Sequence, residues 1–132
     1  ALYVACEHND LEVAKVLIEA RADLNVATTE DGSTPLIVAA QSGYVRILDL
    51  LVSAGCDCNK PRNEVGRRAT PLYVAAINGQ AEVARRLLAT SVDVNTADSD
   101  NASPLYVACR EGFEDVVVEL LGAQADPHRA VE

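Results

Sequence analysis

The groups in this chain that could do chemistry are four cysteines, two histidines and twenty Asp and Glu residues. Cys56 and Cys58 stand one residue apart, so a metal or redox pair is the first chemistry to weigh. Zinc and dithiol motifs space their cysteines two residues apart and add a second pair or a histidine at ligand spacing. Neither follows here. Cys6 and Cys109 lie far along the chain, and His8 and His128 have no matching partner. Lone histidines of this kind read as structural or solvated. There is no Ser/His/Asp set, no glycine-rich phosphate loop and no framed pair of carboxylates. The residues therefore predict no catalysis, no metal and no cofactor.

What these side chains are attached to is more informative. Pro71-Leu72-Tyr73-Val74-Ala75-Ala76 has three relatives within the chain: Leu2-Tyr3-Val4-Ala5-Cys6, Pro35-Leu36-Ile37-Val38-Ala39-Ala40 and Pro104-Leu105-Tyr106-Val107-Ala108-Cys109. The marker residues Leu2, Leu36, Leu72 and Leu105 are separated by steps of 34, 36 and 33. A fixed interval of this size is the mark of a repeat architecture. A second marker, Asp23, Asp57, Asp93 and Asp126, lies 21 residues after each Leu, whereas the return to the next Leu takes 13, 15 and 12. Packed elements cannot absorb insertions and exposed loops can. The locked segment is thus the packed part, and the variable one is a protruding connection.

Inside the locked segment the periodicity is helical. Leu72, Ala75 and Ala76 share one face, Asn78-Gly79 breaks the pattern, and Val83, Leu87 and Leu88 resume it. The spacing predicts two short helices joined at Asn9, Gly43, Gly79 and Gly112, residues that tolerate the positive φ of a helix end. Thr34-Pro35, Thr70-Pro71 and Ser103-Pro104 supply an N-cap and a first-turn proline. First helices are lined by Ala, Val and Cys, so that neighbours approach closely. Second helices carry the bulk: Val13, Val16, Leu17 and Ile18; Ile47, Leu48, Leu50, Leu51 and Val52; Val83, Leu87 and Leu88; Val116, Val117, Leu120 and Leu121. One helix pair cannot bury such a face, but stacked pairs can. The cysteines fall where other copies carry Ala or Val, which predicts small buried thiols in an intracellular, reducing compartment.

Bulk properties agree. The chain has 132 residues, 49% hydrophobic and 23% charged, enough for one packed domain. No run approaches the length of a membrane span. A net charge of −9 argues against nucleic acid as the main partner.

The sequence resembles the ankyrin repeat. Asp31-Gly32-Ser33-Thr34-Pro35-Leu36, then Ala39-Ala40, Gly43, Leu50-Leu51, Ala54-Gly55 and Asp57-Cys58-Asn59 look like that family's signature, and the likeness covers essentially the whole chain. It implies an all-α repeat solenoid: stacked antiparallel helix pairs, with the connections projecting as β-hairpin loops. Residues 1–132 would form a single domain with repeats at about 1–27 (partial), 28–61, 62–97 and 98–132. The family's usual His after Pro-Leu is replaced by Tyr3, Ile37, Tyr73 and Tyr106, so the local bonding must differ. Tyr at this point resembles ankyrin arrays of protists and algae. Neither end carries the polar substitutions of a cap, which predicts an internal piece of a longer array or ends covered by a partner.

The resemblance also implies where a partner would bind: a concave face made of the exposed side of the first helix and the loop tips. By position these are Glu7 and His8, Gln41 and Ser42, Ile77 and Asn78, and Arg110 and Glu111, which differ chemically between copies. Ile77 stands out as apolar at an otherwise polar position, whereas Tyr44 and Phe113 read as locally packed. The connections add Glu30 and Asp31, Arg62, Arg67 and Arg68, and Ser99 and Asp100. Lys60, Arg62, Arg67 and Arg68 make the second connection basic between two acidic ones, a pattern suited to steering a partner of complementary charge. The expected function is a non-catalytic module binding another protein. A permanent subunit of a multi-subunit assembly, and the targeting domain of a larger enzyme, are the alternatives.

Overall fold

The computed structural model describes residues 1–64, 67–98 and 100–123, with the side chains of Asn63, Glu64 and Arg67 outside the description. Eight helices form in pairs among these residues: α1 (Leu2–Glu7) with α2 (Leu11–Glu19), α3 (Pro35–Ser42) with α4 (Val45–Ser53), α5 (Pro71–Ile77) with α6 (Ala81–Leu88), and α7 (Pro104–Glu111) with α8 (Glu114–Gly122). Between α4 and α5 stand two short strands, β1 (Arg62–Glu64) and β2 (Arg67–Ala69).

Each first helix starts where its cap places it. The hydroxyls of Thr34, Thr70 and Ser103 accept from the amides of Ile37, Tyr73 and Tyr106 at 3.3, 3.2 and 3.1 Å. Such a cap contributes about 1 kcal/mol. The proline that follows each cap has no N–H to leave unsatisfied. The helices stop where Asn9, Gly43, Gly79 and Gly112 adopt φ of 56°, 75°, 69° and 77°. That left-handed step reverses the chain, and the second helix returns against the first.

Stacking then makes two layers. α1, α3, α5 and α7 contact one another in order, and so do α2, α4, α6 and α8. The first-helix layer approaches closely because its contact residues are small: Ala39, Ala40, Ala75 and Ala76 are fully buried. The large side chains Ile47, Leu48, Leu51, Val83, Leu87, Val116 and Leu120 fill the space between layers. Phe113 lies on Gly79 of the preceding pair, where a Cβ would come within 2.8 Å of its ring. The repeated Asp marker acquires a role as well. Asp23, Asp57 and Asp93 each accept from the amide two residues on, at Asn25, Asn59 and Asn95. Asn25 and Asn59 then accept from the amides of Asp57 and Asp93 in the following repeat, at 2.8 and 3.1 Å. A hydrogen-bond ladder thus runs along the stack.

Three expectations need correction. Projecting hairpins were expected in every connection, but among the described residues only the second has paired strands, with Arg62 opposite Ala69, Asn63 opposite Arg68 and Glu64 opposite Arg67. The shorter connections close as tight turns, through Thr28 N–H to Ser33 C=O and Asp98 N–H to Ala102 C=O. They lack the extra residues that extend a ladder. Second, Val13, Val16 and Leu121 belong to the expected core yet are 46%, 63% and 47% exposed. Val13 occupies the register of Ile47, Val83 and Val116, which are all buried against a preceding helix pair that Val13 does not have among the described residues. Third, Cys109 is exposed although Cys6, Ala40 and Ala76 at the same register are fully buried, because no helix pair lies beyond α7 and α8 among the described residues. Cys58 is half-buried.

Candidate functional site

The exposed side of the first-helix layer is formed where each first helix ends. Glu7, His8, Gln41, Ser42, Asn78, Arg110 and Glu111 are all exposed there, one to three residues beyond the buried Cys6, Ala40, Ala76 and Ala108. Their spacing follows from the helix: the residues before them point into the stack, and the next step turns outward. Ile77 is half-buried and packs against the core, so its apolar side is partly used by the fold. Tyr44 and Phe113 are likewise half-buried against the core.

Several of these side chains bond locally. His8 Nδ1 lies 2.9 Å from the Val4 carbonyl, and Asn78 Nδ2 donates to the Val74 carbonyl at 2.8 Å. The Arg110 guanidinium sits 5.9 Å from the centre of the Tyr106 ring and 3.1 Å from Glu111. At the first-repeat end, burial pushes the Tyr3 hydroxyl up, and Glu7 adds to the effect.

One group of expected site residues is brought together. Arg62 donates to Gln41 Oε1 at 2.7 Å and lies 3.8 Å from the Asp31 carboxylate. Gln80 Nε2 donates to the Gln41 carbonyl at 3.2 Å. Asp31 itself accepts from the Thr28 hydroxyl at 2.6 Å, the Ser33 amide at 3.0 Å and the Ser33 hydroxyl at 2.8 Å. These bonds hold its carboxyl at about 2, the Thr28 hydroxyl contributing most. The effect is a preorganised patch in which the first connection, the end of α3 and the root of the hairpin are tied to one another.

That tie revises the picture of a uniformly available basic finger. Lys60 Nζ donates to the Asn25 carbonyl at 2.7 Å, so Lys60 and Arg62 both anchor the hairpin to the preceding repeat. Arg68 is exposed on β2 and, with Thr70, Pro61 and Asp98, lines an open cleft of about 330 Å³ between the second and third connections. Glu30 and Asp100 are exposed in the flanking connections. Ser99, Val65 and Gly66 lie outside the described residues, as do the side chain of Arg67 and the segment Asp126-Pro127-His128-Arg129.

Cys56 is buried and Cys58 half-buried, with the Cys58 Sγ 3.8 Å from the Cys56 carbonyl. Burial pushes Cys56 up to about 12 and Cys6 up to about 11, so both stay protonated at neutral pH and are poor metal ligands or nucleophiles. Among the described residues no three His, Cys, Asp or Glu side chains converge as a metal site would require. No helix among them is long and apolar enough to cross a membrane.

One feature of the second-helix layer was not anticipated. Asp49, Arg86, Glu82, Arg85 and Glu119 form a continuous chain of opposite charges across α4, α6 and α8. Within α6 the i, i+3 and i, i+4 spacing of Glu82 with Arg85 and Arg86 is visible in sequence. The links to Asp49 and Glu119 need the stacking register, which only the structure supplies.

A family model described as ankyrin repeats (3 copies) matches residues 1–62 and 59–130. The chain is 32% identical over 77 residues to the ankyrin repeat and KH domain-containing protein mask-1 of Caenorhabditis elegans, covering 58% of this chain and 3% of that protein. It is 35% identical over 97 residues to alpha-latroinsectotoxin-Lt1a of Latrodectus tredecimguttatus, 72% of this chain and 7% of the toxin. A probable E3 ubiquitin-protein ligase, XBOS31, of Oryza sativa subsp. japonica is 35% identical over 102 residues, 76% of this chain and 22% of that protein. The match thus spans a minor part of each relative. Nematode, spider and rice give no support to the likeness with protist and algal arrays.

Proposed function

The chain belongs to the ankyrin-repeat family, whose repeats are generally protein–protein interaction modules, and from that premise we propose that it binds a partner protein through the concave face and its overhanging connections, without catalysis. The observation that carries this reading is a contrast within the chain. First helices repeat Ala-Ala or Ala-Cys, buried except for Cys109; one step further along stand Glu7-His8, Gln41-Ser42, Ile77-Asn78 and Arg110-Glu111, exposed except for the half-buried Ile77. Packing explains the uniform positions. It places no demand on the variable ones apart from Ile77, which packs in part against the core, and they run acidic, polar, part-apolar and mixed along the stack.

The Asp31–Arg62–Gln41 network supports the reading because a surface fixed before binding loses less entropy on association. Ile77, half-buried, and Gln41 sit at the centre of the face, where interface energy concentrates. Arg68 and Arg67 on the hairpin, with Glu30 and Asp100 in the flanking connections, would steer a partner of complementary charge. The compartment in this reading is intracellular and reducing, in keeping with the free thiols Cys6, Cys56, Cys58 and Cys109.

Affinity capture with the chain as bait, read by mass spectrometry, identifies partners. Ser42→Arg and Gln41→Ala are then expected to lose the capture while melting within a few degrees of wild type, whereas Arg46→Ala on α4 keeps it. Capture unaffected by the first two variants refutes the concave-face reading. With a partner in hand, reversing Arg67 and Arg68 to Glu should slow association and flatten its salt dependence; an unchanged rate removes the steering role.

A second reading has its own support. The rice relative carries the name of a probable ubiquitin ligase, and the matched stretch is 22% of its length. This chain would then be the targeting part of a larger enzyme. The reading frame around the 132 residues decides between the two.

A further inference from the structure

The seams between neighbouring second helices use the same places in the repeat, and one of the three is left open. Counted from the Leu markers, offset 13 of one repeat meets offset 14 of the next in two seams: Asp49 with Arg86 across α4 and α6, and Arg85 with Glu119 across α6 and α8. A salt bridge closes each of them. Between α2 and α4 the same offsets hold Lys15 and Leu50, which cannot form one. In place of a bridge there is an open groove of about 300 Å³, lined by Leu11 and Lys15 of α2 and by Arg46, Asp49, Leu50 and Ser53 of α4.

The charge in this groove is the reverse of the chain's. Arg46 stands at offset 10, where α6 and α8 carry the acids Glu82 and Asp115. It is exposed, and among the described residues its side chain makes no ion pair or hydrogen bond. Lys15 is 3.5 Å from Glu12 one turn away, a pair whose carboxylate is 84% exposed and therefore holds it weakly. Asp49 is the acid among the lining residues, and Arg86 engages it. Two cations thus stand over the half-buried side chains of Leu11 and Leu50 in a molecule of net charge −9.

We propose that this groove docks an acidic segment of a second protein. An aliphatic or aromatic side chain of that segment lies between Leu11 and Leu50, and carboxylates beside it meet Lys15 and Arg46. The apolar residue supplies the anchor, and the guanidinium of Arg46 can grip a carboxylate through two parallel bonds. Charge complementarity selects the occupant, since a basic segment would be repelled by both cations. The groove lies in the second-helix layer, so it takes a partner other than the one on the concave face, and it does not depend on that reading.

Selection from a phage-displayed random dodecapeptide library tests the proposal, with the double variant Lys15→Glu, Arg46→Glu as counter-selection bait. Enriched peptides are expected to carry acids next to a Leu, Ile, Phe or Trp. In amide correlation spectra an enriched peptide should shift Lys15, Arg46 and Leu50 saturably and leave the ends of α5 and α7 unmoved. Lys15→Glu and Arg46→Glu, both at exposed sites and checked for an unchanged melting curve, should each weaken it about tenfold or more. Added salt should weaken it as well. The same peptide with lysines in place of its acids should bind the double variant and not the wild type. Arg46→Ala, which keeps the concave-face capture, should lose the enriched peptide, so the two surfaces respond separately. No enrichment over the double variant, enriched peptides without acids, or shifts on the first-helix layer overturn the proposal. Shifts at the same amides on raising the chain's concentration alone, or binding to phosphatidylserine vesicles that the double variant loses, would give the groove to a second copy or to a lipid surface and overturn it too.

Discussion

Replacing Gly79 by Ala isolates the seam between the last two repeats. Gly79 has φ 69° and Gly112 has φ 77°, so both need the left-handed conformation. Placing Ala there costs about 1–2 kcal/mol at either position. The surroundings differ. A Cβ on Gly112 meets open space, whereas one on Gly79 would fall 2.8–3.0 Å from three atoms of the Phe113 ring. A ring held between two repeats has little room to retreat, and overpacking of this kind adds about 1–3 kcal/mol. Gly112→Ala should thus lose about 1–2 kcal/mol and Gly79→Ala about 2–5 kcal/mol in urea unfolding. Adding Phe113→Ala removes the obstacle, so the extra cost of Gly79→Ala should fall to that of Gly112→Ala in the double-mutant cycle. Gly43 is a further control. Its close neighbour is the flexible end of the Gln80 side chain, at 2.5 Å, which can move aside, so Gly43→Ala should resemble Gly112→Ala. Equal losses at Gly79 and Gly112 would refute the packing of Phe113 on which this rests.

Other perturbations have distinct expected outcomes. Leu51→Ala, fully buried in α4, should lose about 2–5 kcal/mol, while Leu121→Ala at the exposed end should lose well under about 1 kcal/mol; similar losses would contradict the burial pattern. Asn59→Ala removes an acceptor for the Asp93 amide and the Asn59 end of the ladder, and should cost about 1 kcal/mol in chemical denaturation, with no loss speaking against the ladder. Asp31 has a carboxyl lowered to about 2, against about 3.9 in an unfolded chain. Its contribution is therefore complete above about pH 4 and disappears as pH falls toward 2. The urea midpoint of wild type should drop faster over that window than that of Asp31→Asn, and parallel curves would show that the Thr28 and Ser33 bonds do not matter to stability.

Much of the fold was legible because a repeat states each constraint several times. Thr34, Thr70 and Ser103 cap, Asn9, Gly43, Gly79 and Gly112 turn, and the fixed Leu-to-Asp distance separates packed segment from connection. What was hidden depends on neighbours. Val13 has the residue type of Val83, and nothing local says that one is exposed and the other buried. Cys109 differs from Cys6 in the same way. The greater length of the second connection was visible, but not that the other two close without strands. At the candidate site the resemblance to ankyrin repeats supplied the first-helix positions, which vary from copy to copy and are exposed except for Ile77. It could not show that Arg62 spends its charge on Asp31 and Gln41, nor that Asp49 and Glu119 are linked through α6, because both need the distance between repeats.

The central claim is that the first-helix face and hairpin form the recognition surface, and amide hydrogen exchange of the chain bound to its captured partner tests it most directly. The account predicts slowed exchange at the ends of α3, α5 and α7 and along β1 and β2, with α2, α4 and α6 unchanged. Protection confined to the second-helix layer, with those helix ends exchanging as in the free chain, would contradict it.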